Sequence, residues 1–169
     1  GGMAEIFLAE PGEGATAPAR LVIKRILPHL TDDASFLEMF LDEARIAARL
    51  SHPGVIQILD LGRIEDSLFI AMEYVRGEDL ANILKAAQAR GKPLPPAMAA
   101  TILAKVADAL DYAHGERDFE GRPMHIVHRD VTPQNIMVGF DGSVKLLDFG
   151  IAKVQGQLSR TKPGTGKVK

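Results

Sequence analysis

Residues 126–138 read IVHRDVTPQNIMV, and residues 136–150 continue the line as IMVGFDGSVKLLDFG. The polar knot HRDVTPQN lies between two apolar runs, so a loop between strand-like segments is expected there. Asp141-Gly142 predicts a two-residue hairpin turn. On that turn Phe140 faces Ser143, Met137 faces Leu146 and Asn135 faces Asp148. Directly opposed residues have Cβ atoms about 5 Å apart on one face. Two oxygen-bearing side chains then meet at the open end of the hairpin, with Asp130 just upstream. A bulge would shift this register by one.

An Asp and an Asn together make a sparse site of hard oxygens. Magnesium suits it, because Mg²⁺ keeps several waters and takes further ligands from phosphate groups. Taken singly, each residue is better read as a turn former. The ordered set is not.

Composition sets the frame. The chain has 169 residues, 46% of them hydrophobic and 25% charged, with a formal net charge of −2. That is globular composition, with room for one domain or two small lobes. The charge offers no electrostatic grip on nucleic acid or an acidic membrane. The sequence contains no Cys, which excludes disulfides and thiolate chemistry and fits a reducing compartment. No apolar run approaches a membrane span and no secretory signal opens the chain. Both ends are expected to be cuts in a longer protein.

Along the chain, EIFLAE (5–10) and RLVIKRI (20–26) read as strands joined by PGEGATAP. TDDASFLEMFLDEARIAARL (31–50) reads as a helix, with Thr31, Asp32 or Asp33 as its cap and HPG as its stop. VIQILDLG (55–62) and SLFIAMEYV (67–75) are strand-like. From Gly77 the pattern turns helical, with DLANILKAAQAR and PAMAATILAKVADALDYAH separated by GKPLPP. A hinge is expected near 75–78.

HRD-x-x-x-x-N followed by DFG resembles the protein-kinase signature, with Asp130 and Asn135 in the catalytic loop and Asp148-Phe149-Gly150 as DFG. The wording HRDVTPQN and LLDFGIAK resembles bacterial eukaryotic-like (Hanks-type) serine/threonine kinases. The resemblance runs over essentially the whole chain. It implies an α+β, two-lobe protein-kinase-like fold. Residues 1–75 would form an antiparallel β N-lobe with one helix, lacking its first strand and the start of the Gly-rich loop. Residues 76–169 would form the first part of a mainly α C-lobe, through DFG and the start of the activation segment.

The same resemblance assigns upstream residues. Lys24 in LVIKRI takes the place of the strand lysine, and Glu43 the place of its helix partner. Without that frame, Lys24 reads as an exposed strand position, while Glu43 lies on the apolar stripe, where a carboxylate is costly unless paired, or reaches solvent from the stripe's edge. GGMAEIF looks like the second half of the nucleotide loop, with Gly1 and Gly2 over the phosphates, Ala4 at the third glycine and Ile6 at the Val position. Met72 would be the gatekeeper, and the backbone of Glu73 and Val75 would bind adenine. Ile6, Val22 and Met137 would sandwich the base, and Asp79 would reach the ribose. Plain core packing competes for each apolar residue.

By resemblance, the chain binds ATP and Mg²⁺, with Asn135 and Asp148 as metal ligands. Asp130 would orient or accept the proton of a Ser/Thr hydroxyl on a protein substrate, with Lys24 and Glu43 steadying the phosphates. A cytoplasmic site is implied, without membrane contact in this segment. Arg129 would pair with a phosphate on Ser159, Thr161 or Thr165; read on its own, that tail is better taken as a solvated, disordered segment. Thr132 replaces the usual lysine and puts acceptor specificity and rate in question. Residues 1–169 alone are expected to show little phosphotransfer. A pseudokinase scaffold is the first alternative, motivated by Thr132 and Ala4. A small-molecule phosphotransferase of related fold is the second, disfavoured by the DFG.

Overall fold

The computed structural model of the chain describes residues 4–10, 12, 20–27, 34–64 and 67–149, leaving aside the side chains of residues 34–36, 39, 42 and 43. Two sheets and three helices organise these residues. Strands β1 (Ala4–Ala9), β2 (Leu21–Ile26), β3 (Ile58–Ile64) and β4 (Ser67–Glu73) form an antiparallel sheet in the order β1-β2-β4-β3. A small second sheet takes β5 (Gly77–Asp79), β6 (Ile136–Gly139) and β7 (Val144–Leu146) in sequence order. Helix α1 (Ala34–Arg49) lies between β2 and β3 in the chain, while α2 (Leu80–Ala89) and α3 (Pro96–Gly115) follow β5.

The sequence explains these elements locally. Strand β2 is rich in β-branched residues, and its register sets Ile6 opposite Lys24, and Val22 opposite both Leu8 and Met72. Helix α1 buries Phe40, Ala44 and Ala47 along one stripe. Asp79 caps α2 by accepting from the Asn82 amide at 2.8 Å. Pro96 opens α3 at the position where its missing N–H costs nothing.

Two cores result. The first joins Ile26, Phe40, Ala44, Ile56, Ile70 and Met72 beneath the four-stranded sheet. The second gathers α3, the small sheet and Phe149, and includes Leu50, Val55, Val106 and Leu146. Burying a side chain such as Phe149 contributes on the order of 2–3 kcal/mol.

Residues 55–57 depart from the strand expected over 55–62, which begins only at Ile58. Val55 is buried in the second core and Ile56 in the first. The segment is held by β7 instead, with Ile56 N–H donating to the Leu146 carbonyl at 3.0 Å and Leu146 N–H to the Gly54 carbonyl at 2.8 Å. Close by, the Tyr112 hydroxyl accepts from Ser51 N–H at 3.1 Å, and the His52 and Tyr112 rings stack with centroids 4.9 Å apart. A Cβ on Gly54 would lie 3.0 Å from that of Ala109, so this loop rests directly on α3.

The hairpin is also corrected. The pairs are Ile136 with Leu146, Met137 with Lys145 and Val138 with Val144. The connection has three residues, 140–142: Gly142 N–H bonds the Gly139 carbonyl at 2.9 Å, and Gly139 N–H bonds the Ser143 carbonyl at 2.8 Å. Gly142 stands at φ +83°, the left-handed bulge residue that completes a three-residue hairpin. Asp141 stabilises this form by accepting from Ser143 N–H at 2.9 Å and from its Oγ at 2.7 Å. The register therefore moves by one, and Asn135 meets Leu147, not Asp148.

Candidate active site

The polar knot lies between α3 and β6, and its geometry is set by one buried ring. His128 is 1% exposed. Its Nδ1 accepts from Asp130 N–H at 3.3 Å, so Nε2 carries the proton and donates to the Leu147 carbonyl at 2.7 Å. Burial holds the His128 pKa below its usual 6.5, against the raising effect of that carbonyl and of Asp130 and Asp148. A neutral imidazole thus ties the knot to the end of β7. Its ring also lies against Phe149, centroids 4.7 Å apart.

Asn135 closes the knot from the other side. Its Nδ2 donates to the Asp130 carbonyl at 2.9 Å and to Asp130 Oδ2 at 3.1 Å. Its own carbonyl accepts from Leu147 N–H at 2.8 Å. Asp130 and Asn135 are thereby brought together, one residue from Asp148.

Asp148 reaches the cleft although the register does not aim it there. Its φ is +45°, and Arg129 is at +60°. Left-handed backbone at non-glycine residues costs about 1–3 kcal/mol each and persists only where surroundings enforce it. The turn at Asp148 breaks the extended run and delivers Oδ1 to within 2.8 Å of Lys24 Nζ. The lysine side chain is 19% exposed and the carboxylate 45%. This ion pair joins the two sheets across the cleft. The sequence pairs Lys24 with Glu43; the Glu43 side chain lies outside the described residues, as do Gly1, Gly2, Gly150, Ser159, Thr161 and Thr165.

The other expected residues are placed by strand register. Val22 opposes Met72, which is 8% exposed within the sheet core, and Val75 packs on that core. Ile6 opposes Lys24 but is 62% exposed. Met137 opposes Asp79 across β5 and β6. Asp79 is engaged with Asn82, Oδ1 with the amide N–H and Oδ2 with Nδ2 at 2.8 Å. Sequence reasoning missed β5 itself, which Gly77 makes possible: a Cβ there would run into the Val138 carbonyl. It also missed Lys145, whose Nζ lies 2.7 Å from Glu73 Oε1. The alternation VKL inside the hairpin was the available signal for Lys145.

An antiparallel sheet with one helix, set over a helical unit whose hairpin carries HRD-x-x-x-x-N and DFG, defines a two-lobe phosphotransferase-type scaffold. The chain belongs to the protein kinase family, since the protein kinase domain matches residues 15–167. Tyrosine-protein kinase MasK of Myxococcus xanthus is 44% identical over the whole chain, which covers 26% of that protein. Serine/threonine-protein kinase PknH of Mycobacterium bovis is 36% identical over 98% of the chain and 25% of its own length. Serine/threonine-protein kinase PrkC of Bacillus subtilis is 36% identical over 90% of the chain and 21% of its own length. The crystal structure of the Mycobacterium tuberculosis PknI kinase domain superposes with a TM-score of 0.69 at 34% identity, covering 89% of this chain and 55% of that one. The chain spans about a quarter of the length of these curated relatives. Its fold is the α+β protein-kinase fold, with an antiparallel N-lobe and part of the helical C-lobe. No helix among the described residues is long and apolar enough to cross a membrane.

Proposed function

We propose that this chain is the catalytic unit of a cytoplasmic protein kinase that transfers the γ-phosphate of ATP to Ser/Thr hydroxyls of proteins. The observation that carries the reading is the Lys24–Asp148 contact at 2.8 Å beside the Asp130–Asn135 pair. A cation and an anion that must each meet a nucleotide phosphate region already stand together.

The donor set fits magnesium. Asn135 uses its amide nitrogen on Asp130, which leaves Oδ1 as an acceptor, and Asp148 contributes a half-exposed carboxylate. Among the described residues no cluster of three or more His, Asp or Glu could hold a metal, so the remaining ligands would be water and phosphate oxygens. Bound Mg²⁺ would supply charge neutralisation at the β- and γ-phosphates.

The chain's own groups do the rest. Lys24 would hold the α- and β-phosphates, with Glu43 behind it. Gly1 and Gly2 would cover the phosphates. The backbone of Glu73 and Val75 would hold adenine, with Ile6, Val22, Met72 and Met137 around it and Asp79 near the ribose. Asp130, oriented by Asn135 and by His128, would hold and accept the proton of the attacking hydroxyl. Catalysis is then mainly positioning and charge stabilisation. Thr132 offers a hydroxyl where a lysine would supply charge, which lowers the expected rate.

A tyrosine acceptor is the second reading. It is favoured by Thr132 and by the 44% identity to a protein named as a tyrosine kinase. The experiment is phosphoamino-acid analysis of protein substrates after incubation of the full-length protein with MgATP, with Asp130→Asn as control. Phosphoserine or phosphothreonine that disappears in the control is expected. Phosphotyrosine alone selects the second reading, and ATP binding without any transfer overturns both in favour of a nucleotide-binding scaffold.

A further inference from the structure

We infer that Lys145 is a positioning residue for nucleotide binding: through Glu73 it fixes the end of β4 against the strand that leads to Asp148. The inference rests on the phosphotransfer reading above and adds a residue to it.

Glu73 is the last residue of β4, and its side chain leaves the strand opposite to that of buried Met72. Its Oε1 accepts from Gln57 N–H at 2.8 Å and from Lys145 Nζ at 2.7 Å. Its backbone N–H donates to the Gln57 carbonyl at 3.0 Å. Lys145 sits in β7 between buried Val144 and Leu146, and Leu146 in turn bonds the backbone of Gly54 and Ile56. The bonds form a closed circuit: β7 to segment 54–57, on to Glu73, and back through Lys145.

The pair stands at the wall shared by two surface hollows. Glu73 and Lys145 both line a hollow of about 500 Å³ and a second of about 240 Å³. Their side chains are only 27% and 17% exposed. Removing one partner of a partly desolvated pair leaves the other charge uncompensated, so the strut cannot be lost silently.

Its position gives it a consequence for ATP. Glu73 carries a base-binding carbonyl in the reading above, and Lys145 lies three residues before Asp148 at the phosphate end. The strut therefore sets the separation between the two ends of the bound nucleotide. Lys145 and the Glu73 side chain touch no reacting atom in this reading, so the strut is assigned to holding the nucleotide and not to the transfer step. Losing such an interaction raises KM and leaves kcat alone.

The test is initial-rate kinetics of the full-length protein with MgATP varied, for wild type, Lys145→Met, Lys145→Gln and Lys145→Arg. Lys145→Met keeps the aliphatic stem and removes the charge. It should raise KM for ATP about 5- to 10-fold with kcat within about 2-fold. Lys145→Gln should lie between it and wild type, and Lys145→Arg should restore KM. A lower melting temperature with unchanged KM in both Lys145→Met and Lys145→Gln overturns the inference, as does a loss confined to kcat. Should Lys145→Met fail to fold, Lys145→Gln against Lys145→Arg decides by the same criterion. A wild-type protein that binds no MgATP and transfers no phosphate overturns the functional reading and this inference together, so the two failures are told apart by the wild type.

Discussion

Lys24 Nζ and Asp148 Oδ1 lie 2.8 Å apart, a contact between an inner strand of the four-stranded sheet and the first residue of DFG. In the proposed binding mode a nucleotide would divide this pair, phosphate to the lysine and cation to the carboxylate. Melting of the protein with ATP should therefore shift upward only when Mg²⁺ is present, and Asp148→Asn should remove the shift. Saturation at a hundredfold over Kd corresponds to about 2.7 kcal/mol of stabilisation. A shift of equal size in the mutant would count against Asp148 as a ligand.

Replacing Lys24 by Met should cut phosphotransfer about 100-fold or more, the scale of losing one preorganised charge at the transferring group. Single-turnover assays would show it, and a rate within a factor of a few of wild type would refute the role.

His128 predicts a pH dependence of folding. Burial lowers its folded pKa below 6.5. As pH falls through about 6.5, the unfolded chain takes up a proton that the folded chain refuses. Stability is thus full above that pH and declines below it, until the folded pKa is also passed. Urea midpoints should drop between pH 7.5 and 5.5, and the drop should be smaller in His128→Phe, which keeps an aromatic ring against Phe149. Equal drops would assign the dependence to other groups.

Asn135→Ala should lower stability by about 1–2 kcal/mol, because its two hydrogen bonds to Asp130, at the backbone carbonyl and the carboxylate, are lost. The same variant should abolish the Mg²⁺-dependent part of the ATP melt. Denaturant titration separates the two effects.

Gly142→Ala tests the turn. A residue with a Cβ at φ +83° is strained, at about 1 kcal/mol. Gly77→Val should cost more, since its side chain meets the Val138 carbonyl and separates β5 from β6. Comparable midpoints for the two variants would contradict that close approach.

Much of this was legible in the sequence. The knot, its Asp and Asn, the strands around Lys24 and the helices after Gly77 follow from local pattern and spacing. Other features are set by tertiary contacts. Asp-Gly at 141–142 reads as a two-residue turn, yet the Asp141–Ser143 hydrogen bonds select a three-residue one. Asp148 then reaches Lys24 through a left-handed φ, which no periodicity encodes. Strand β5 was hidden because three residues beside a helix cap carry no alternation to detect. The VKL alternation sets Lys145 on the face opposite Val144 and Leu146, but its partner Glu73 is supplied only by tertiary contact.

The anchoring of residues 51–57 has a mechanical meaning. Ser51 and His52 are held by Tyr112, and Ile56 by Leu146, so the C-terminal end of α1 is fixed to the helical unit rather than to the sheet that the rest of the helix covers. Any tilt of the helix would then turn about that end. Position 43 lies about seven residues from it, roughly 10 Å along the axis at 1.5 Å per residue. A swing of about 10° around the pivot carries position 43 through roughly 2 Å, nearly the difference between a made and a broken ion pair, while the pinned end hardly moves.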